Sequence, residues 1–222
     1  MEVKVIGMST PVQGGSPTQI VEEAACVCYD SSPTPTYSIA KGCAKSGHMS
    51  VWEHISFTFH ISGISRACSH QLVRHRHASY SQRSQRYCLE DGFEYVSPPL
   101  PGDSAHDIFE DAMQDAATSY KYLVQDGVRP EDARAVLPNA CATEIVVTMN
   151  ARALVEASRL RLCNRAQSEI RELFYAMRKA VRCYCPEVAD MMVPQCERYE
   201  FAFCPERKSC GKHKTLSEIV GV

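Results

Sequence analysis

Residues 74–87 read RHRHASYSQRSQRY, and they hold four arginines, two histidines and three serines with no carboxylate. Like charges at this density repel, so a folded chain keeps them only where water or an anion screens them. One reading is a solvated basic loop. The other is a built anion site, and the mixture of groups favours it. Guanidinium forks grip phosphate bidentately, small hydroxyls fill the gaps between its oxygens, and imidazole either donates or accepts.

The body around this cluster is close to neutral. The 222 residues carry a formal net charge of −2, with 45% hydrophobic and 23% charged residues, the composition of an ordinary globular chain of one domain. A general nucleic-acid binder would be basic throughout, so none is expected as a partner. The opening residues MEVKVI have neither a basic run nor a long apolar one, and no stretch approaches the ~20 apolar residues of a membrane span. A cytoplasmic protein is expected, its twelve scattered cysteines mostly buried and reduced.

Mixed helix and strand patterns surround the cluster. Residues 2–8 alternate as a strand, and 17–29 and 37–46 have helical spacing. Val51 to Ser62 reads as the clearest strand, with Ile55, Phe57, Phe59 and Ile61 on one face and His54, Ser56, Thr58 and His60 on the other. Ile64 to Val73 reads as a helix leading into Arg74, with Gln71 one turn earlier, and Phe93–Val96 as a short strand. Ser104 to Gln125 is a long amphipathic helix whose apolar face is Ile108, Ala112, Ala116, Tyr120 and Leu123. A helix opened by Pro130 carries Arg134. A strand at 143–149 runs into Asn150, placed to cap a helix over 151–162, and Asn164 with Gln167 has capping-box spacing for the next helix.

Arg74-His75-Arg76 followed after seven residues by Ser84, with Arg86-Tyr87 behind it, resembles the signature of the flavin-dependent thymidylate synthases. Trp52-Glu53-His54 and the segment LRLCNRAQSEIR (160–171) resemble two further elements of that family. The resemblance implies an α+β domain over 1–194, with a mostly antiparallel sheet packed by helices, followed by a cysteine-containing tail over 195–222. It implies a homotetramer with sites between subunits. It also implies reductive methylation of dUMP to dTMP, with FAD as hydride carrier and NADPH and methylenetetrahydrofolate as cosubstrates.

Site roles follow residue by residue from the same resemblance. His54, Arg74, His75, Arg76, His77, Asn150 and Arg152 are expected at the flavin. Gln71, Arg74, Gln82, Ser84, Gln85, Arg86, Arg134 and Arg161 are expected at dUMP, and Arg161, Ser84 and His54 are the residues nearest the chemistry. Gln82 stands where some members have glutamate, Arg165 where some have histidine, and Cys28 where a small hydroxyl residue can meet the flavin. No strand–GxGxxG–helix unit exists, so a Rossmann-type dinucleotide site is not expected.

No enzyme nucleophile is expected either. An unactivated serine is poorly nucleophilic, and Cys88 lies just outside the basic cluster. No metal is expected. Cys196, Cys204, Cys210 and His213 could supply zinc ligands, but none of their spacings is the tight two-residue gap of convincing zinc sites. Competing readings are a nucleic-acid module using 74–87, a zinc-dependent interaction protein built on the tail, and a flavin enzyme that hydroxymethylates dUMP.

Overall fold

Alternating apolar residues build the centre of the molecule. The computed structural model describes residues 1–198 and 201–221. Strands β1 (Glu2–Met8), β2 (Ser56–Ser65), β3 (Ala78–Gln82) and β4 (Ala142–Asn150) form one antiparallel sheet in the order β1-β2-β4-β3. Across the central pair, Phe57 faces Met149, Phe59 faces Val147 and Ile61 faces Ile145, all buried. Each such side chain contributes about 1.5–3 kcal/mol on burial. The alternate residues form a polar face, where Thr58 and Thr148 share a hydrogen bond of 2.9 Å and His60 pairs with Glu144.

Helices cover the apolar face. α1 (Pro17–Tyr29), α2 (Ser38–Lys45) and α3 (Arg66–Leu72) precede the long α4 (Asp103–Gln125) and the single turn α5 (Pro130–Ala133). α6 (Ala151–Arg161), α7 (Ser168–Arg182), α8 (Pro186–Met191) and α9 (Leu216–Val220) follow. In α7 the expected stripe of Ile170, Leu173, Phe174, Met177 and Val181 is fully buried. Glu22 of α1 is buried among the apolar groups. It survives because its carboxylate accepts from Ala40 N at 2.7 Å and from Thr34 Oγ1 and N at 2.7 and 3.1 Å.

Several expectations need correction. The strand read from Val51 begins at Ser56, because Met49–His54 is a 3-10 turn. That tighter winding brings residues three apart onto one side and turns both Met49 and Trp52 into the core. The helix read from Ile64 begins at Arg66. Ile64 and Ser65 still belong to β2, and Ser65 Oγ caps α3 by accepting from Cys68 N at 3.0 Å. The strand at 93–96 reduces to one bridge, Tyr95 to Cys141.

α4 buries Met113 and Tyr120 and leaves Ile108 69% exposed, so its inward stripe is rotated from the one expected. Gln167 is itself the cap of α7, accepting from Ile170 N at 3.2 Å, rather than the partner of Asn164. The basic stretch is not simply a loop, since its middle is the edge strand β3. In the tail, which includes residues 199, 200 and 222 outside the described set, Arg165 reaches Glu206 at 3.5 Å and the Lys208 carbonyl at 3.3 Å.

Candidate active site

The basic stretch starts where α3 ends. His75 N bonds back to the Leu72 carbonyl at 3.1 Å, turning the chain toward β3. Tyr80 of β3 locks that turn, its hydroxyl donating to the carbonyls of His75 and Leu72 at 2.7 and 3.0 Å. Burial pushes this phenol up to about 12, so it stays a donor.

From the last turn of α6, Arg161 reaches into the same corner. Its Nε donates to His75 Nε2 at 3.0 Å, and its terminal nitrogens donate to the Gln71 carbonyl at 2.8 Å and to Gln71 Oε1 at 3.4 Å. Phe174 packs against the imidazole, ring centroids 6.0 Å apart. Burial and the neighbouring Arg161 push His75 down to about 4. Burial lowers Arg161 too, with Arg74 adding to the effect against the opposing influence of Cys68, but a guanidinium remains charged.

Beyond this corner opens a cavity of about 670 Å³. Arg74, His75, Arg76 and His77 line one side, and Asn150, Arg152 and Ala153 at the start of α6 line the other. Asn150 Oδ1 caps α6 by accepting from Ala153 N at 2.8 Å. A helix start adds positive potential where N–H groups lack intrahelical partners. Arg152 is paired with Glu53 at 2.6 Å. Arg74 and Arg76 have no carboxylate or hydrogen-bond partner among the described residues, so the cavity holds two free guanidinium groups for an anion. Glu53, Glu156 and Arg159 also line it and received no role from sequence reasoning.

A second group forms where β3 leaves the sheet. Arg86 grips Glu131 through Nε and a terminal nitrogen at 3.1 and 3.0 Å, and Arg134 Nε donates to the Glu131 carbonyl at 3.1 Å. Gln85 and Arg134 line a separate cleft of about 390 Å³ with Arg66 and His70. Ser84 Oγ accepts from Arg86 N at 3.3 Å and has no imidazole or carboxylate beside it among the described residues. Gln82 is turned inward, its amide donating to Ser69 Oγ at 2.8 Å and Thr143 Oγ1 at 3.2 Å.

The fold thus gathers Arg74, His75, Arg76, His77, Asn150 and Arg152 around one cavity and joins Gln71 to Arg161 beside it. Ser84, Gln85, Arg86 and Arg134 lie in the second group. His54, exposed at the end of its 3-10 turn, lines neither recess, although its neighbour Glu53 does. Tyr80 and Phe174 were missed as supports. Tyr80 is the one aromatic residue inside β3, at a half-buried position, and that was the available signal.

In the tail, Cys196, Cys204, Cys210 and His213 line a cavity of about 270 Å³. Among the described residues no group of three or more histidine, cysteine or acidic side chains is placed to hold a metal.

Comparison with known proteins finds relatives over most of the chain. The family described as thymidylate synthase complementing protein matches residues 12–187. A flavin-dependent thymidylate synthase of Geobacter sulfurreducens is 46% identical over 218 aligned positions, covering 91% of this chain and 93% of the relative. The protein of the same name from Clostridium tetani is 39% identical, with 92% of each chain covered. One from Nitratidesulfovibrio vulgaris is 47% identical over 181 positions, covering 76% of this chain and 73% of its own. With a matched segment spanning most of the chain and relatives similar over nearly their full length, this chain belongs to the thymidylate synthase complementing protein family.

Proposed function

We infer that the chain is a flavin-dependent thymidylate synthase, converting dUMP to dTMP. The observation that carries this is the cavity of about 670 Å³ in which Arg74 and Arg76, unpaired with any carboxylate among the described residues, line the side opposite the start of α6. The cavity suits FAD in the chemistry of its donors. Guanidinium groups and helix-start amides match a diphosphate, while His77 and the Asn150 amide offer hydrogen bonds to a ring system.

When bound, FAD supplies hydride transfer, which with the one-carbon unit of methylenetetrahydrofolate completes the methyl group, and NADPH supplies the reducing equivalents. The protein's own groups bind, orient and neutralise. Arg74 lines the cavity and is near enough to Arg161 to repel it, so it suits neutralising anionic charge of either ligand. Gln71 offers an amide for a pyrimidine edge. In the second group Arg86, Arg134, Ser84 and Gln85 supply the donor types a nucleotide phosphate needs.

That the two recesses share no lining residue supports sites completed between chains of a homotetramer, one subunit offering the flavin side and another the nucleotide side. The absence of an activated nucleophile in the described residues supports chemistry at dUMP without an enzyme adduct. Ser84 lacks a base. Burial raises the Cys68 thiol and pushes Cys141 up to about 11, so neither is a thiolate at neutral pH. All twelve cysteines are unpaired, which fits a reducing, cytoplasmic setting.

The test is a visible absorption spectrum of the protein incubated with FAD, repeated after NADPH with and without dUMP, followed by mass analysis of the nucleotide product. Flavin bands that bleach faster with dUMP, and a methylated product, are expected. A protein that retains no flavin overturns the reading, and a hydroxymethylated product replaces the activity while keeping the site.

A further inference from the structure

The contact between Arg161 and His75 fixes more than position. A guanidinium only donates hydrogen bonds, so Nε2 of His75, 3.0 Å from Arg161 Nε, must offer its lone pair. The imidazole is therefore neutral, and its single proton lies on Nδ1. That nitrogen has no protein partner among the described residues and is not sealed from solvent, while His75 itself lines the large cavity.

We propose that His75 serves the cavity's ligand as a neutral N–H donor, with Arg161 as the positioning residue that fixes its tautomer. This rests on the flavin reading of the cavity. The ligand group it would meet is a hydrogen-bond acceptor of the flavin nucleotide, a ring carbonyl, ring nitrogen or phosphate oxygen.

The surroundings make the neutral state the stable one. Arg74 and Arg76 flank the residue, and Arg161 touches it from α6. α3 contributes the amide of Gln71 and the Cys68 thiol near Arg161, β3 the Tyr80 hydroxyl, and α7 the apolar Phe174. The cavity's carboxylates, Glu53 and Glu156, are engaged by Arg152 and Arg159. A second positive charge at His75 would meet repulsion with no carboxylate beside it among the described residues, and burial with Arg161 holds its pKa at about 4. A cationic stretch thus contains one group that donates a hydrogen bond without adding charge. The cavity keeps a directional contact whose strength does not change across the ordinary histidine range.

Flavin-stripped full-length protein is titrated with FAD from about pH 5.5 to about pH 8, the range over which an ordinary histidine changes charge. Flavin fluorescence quenching is followed for wild type and His75→Gln. Glutamine keeps a neutral N–H donor, so the ratio of the two dissociation constants is expected to hold within about threefold across the range. A larger drift in that ratio shows His75 gaining charge and overturns the proposal. Arg161→Gln frees the imidazole, and a pH-dependent step absent from Arg161→Gln/His75→Gln is expected to emerge.

Neutron diffraction from wild-type crystals needs no variant. A deuteron on Nδ1 alone is expected, and one on Nε2 overturns the assignment even if His75→Gln fails to fold. A wild-type protein that takes up no FAD removes the flavin reading and the ligand role together. A deuteron on Nε2 in a flavin-binding protein removes only the present inference.

Discussion

The two halves of the basic stretch are built on opposite principles. Arg83 and Arg86, in the half that leaves β3, are neutralised at rest by Glu90 and Glu131 at 3.2 and 3.0 Å. Arg74 and Arg76, in the half that leaves α3, have no carboxylate among the described residues and face a cavity. A free guanidinium is ready for an anion and contributes nearly its full charge-assisted bond on binding. A paired one must first give up its carboxylate, so its net contribution is the difference between two similar bonds. The first half is therefore expected to dominate affinity, and the second to tune it.

The largest test of that contrast is Arg74→Ala beside Arg86→Ala. A bond to a charged group contributes about 1.5–3 kcal/mol, so Arg74→Ala should weaken FAD binding by roughly 10- to 100-fold. Arg86→Ala should weaken binding of dUMP, its own expected ligand, by less than about threefold on the same scale. Equal losses, read by fluorescence titration of FAD and calorimetric titration of dUMP, would show that charge total, and not pairing, governs the stretch.

A variant remote from both halves separates binding from folding. Burial alone would raise the Glu22 carboxyl, but hydrogen bonds from Ala40 and Thr34 outweigh it and hold its pKa below the ordinary 4.5. Glu22→Gln turns an acceptor oxygen into an N–H2 that faces the Ala40 amide. It should cost about 1–3 kcal/mol in urea unfolding while leaving FAD affinity of the folded protein unchanged. Because the folded pKa is the lower one, this stabilisation is complete above the unfolded value and fades as pH falls through the folded value. Wild type should therefore lose its advantage over the variant below about pH 4. A constant advantage down to lower pH would show that the carboxylate is not the source.

How much of this was legible follows from what each pattern encodes. The stripe of α7 and the apolar face of β2 were readable because a period of 3.6 or of 2 identifies the buried face directly. The 3-10 turn at Met49–His54 was not, because Val51 and Ile55 continue the alternation of the strand that follows, and only Trp52, on the wrong face for a strand, departs from it. The rotated stripe of α4 was hidden for a related reason. Ile108 and Met113 are both apolar, and which of them is covered depends on what packs against α4, a tertiary property. At the site, residue types announced cations, but pairing is a tertiary property. Glu131 lies 45 residues from Arg86 and Glu53 lies 99 from Arg152, so no local pattern distinguishes a free arginine from a neutralised one.

Glu131→Gln frees Arg86 in the paired half while Arg83 stays on Glu90. Removing the carboxylate while keeping its shape should tighten dUMP binding by roughly threefold to tenfold at low salt, less as salt screens the released charge. Isothermal titration at two ionic strengths reads this. Weaker binding instead would mean that the Glu131 carboxylate holds Arg86 in the orientation the nucleotide needs, making the pair a scaffold.

The smallest expected effect is also informative. Cys88 follows the second half directly and bonds through its backbone N to the Ser84 carbonyl at 2.9 Å, a contact that any residue at 88 can make. Cys88→Ser keeps that contact and the side-chain size, and should leave dTMP formation within about twofold of wild type, a shift in barrier below about 0.5 kcal/mol. If turnover were lost with the fold and dUMP affinity intact, the thiol would be the missing nucleophile. The paired half would then be the reactive one, its carboxylates holding the arginines until substrate arrives. Unchanged turnover leaves the second half as a binding surface alone and the free half as the part that sets the chemistry.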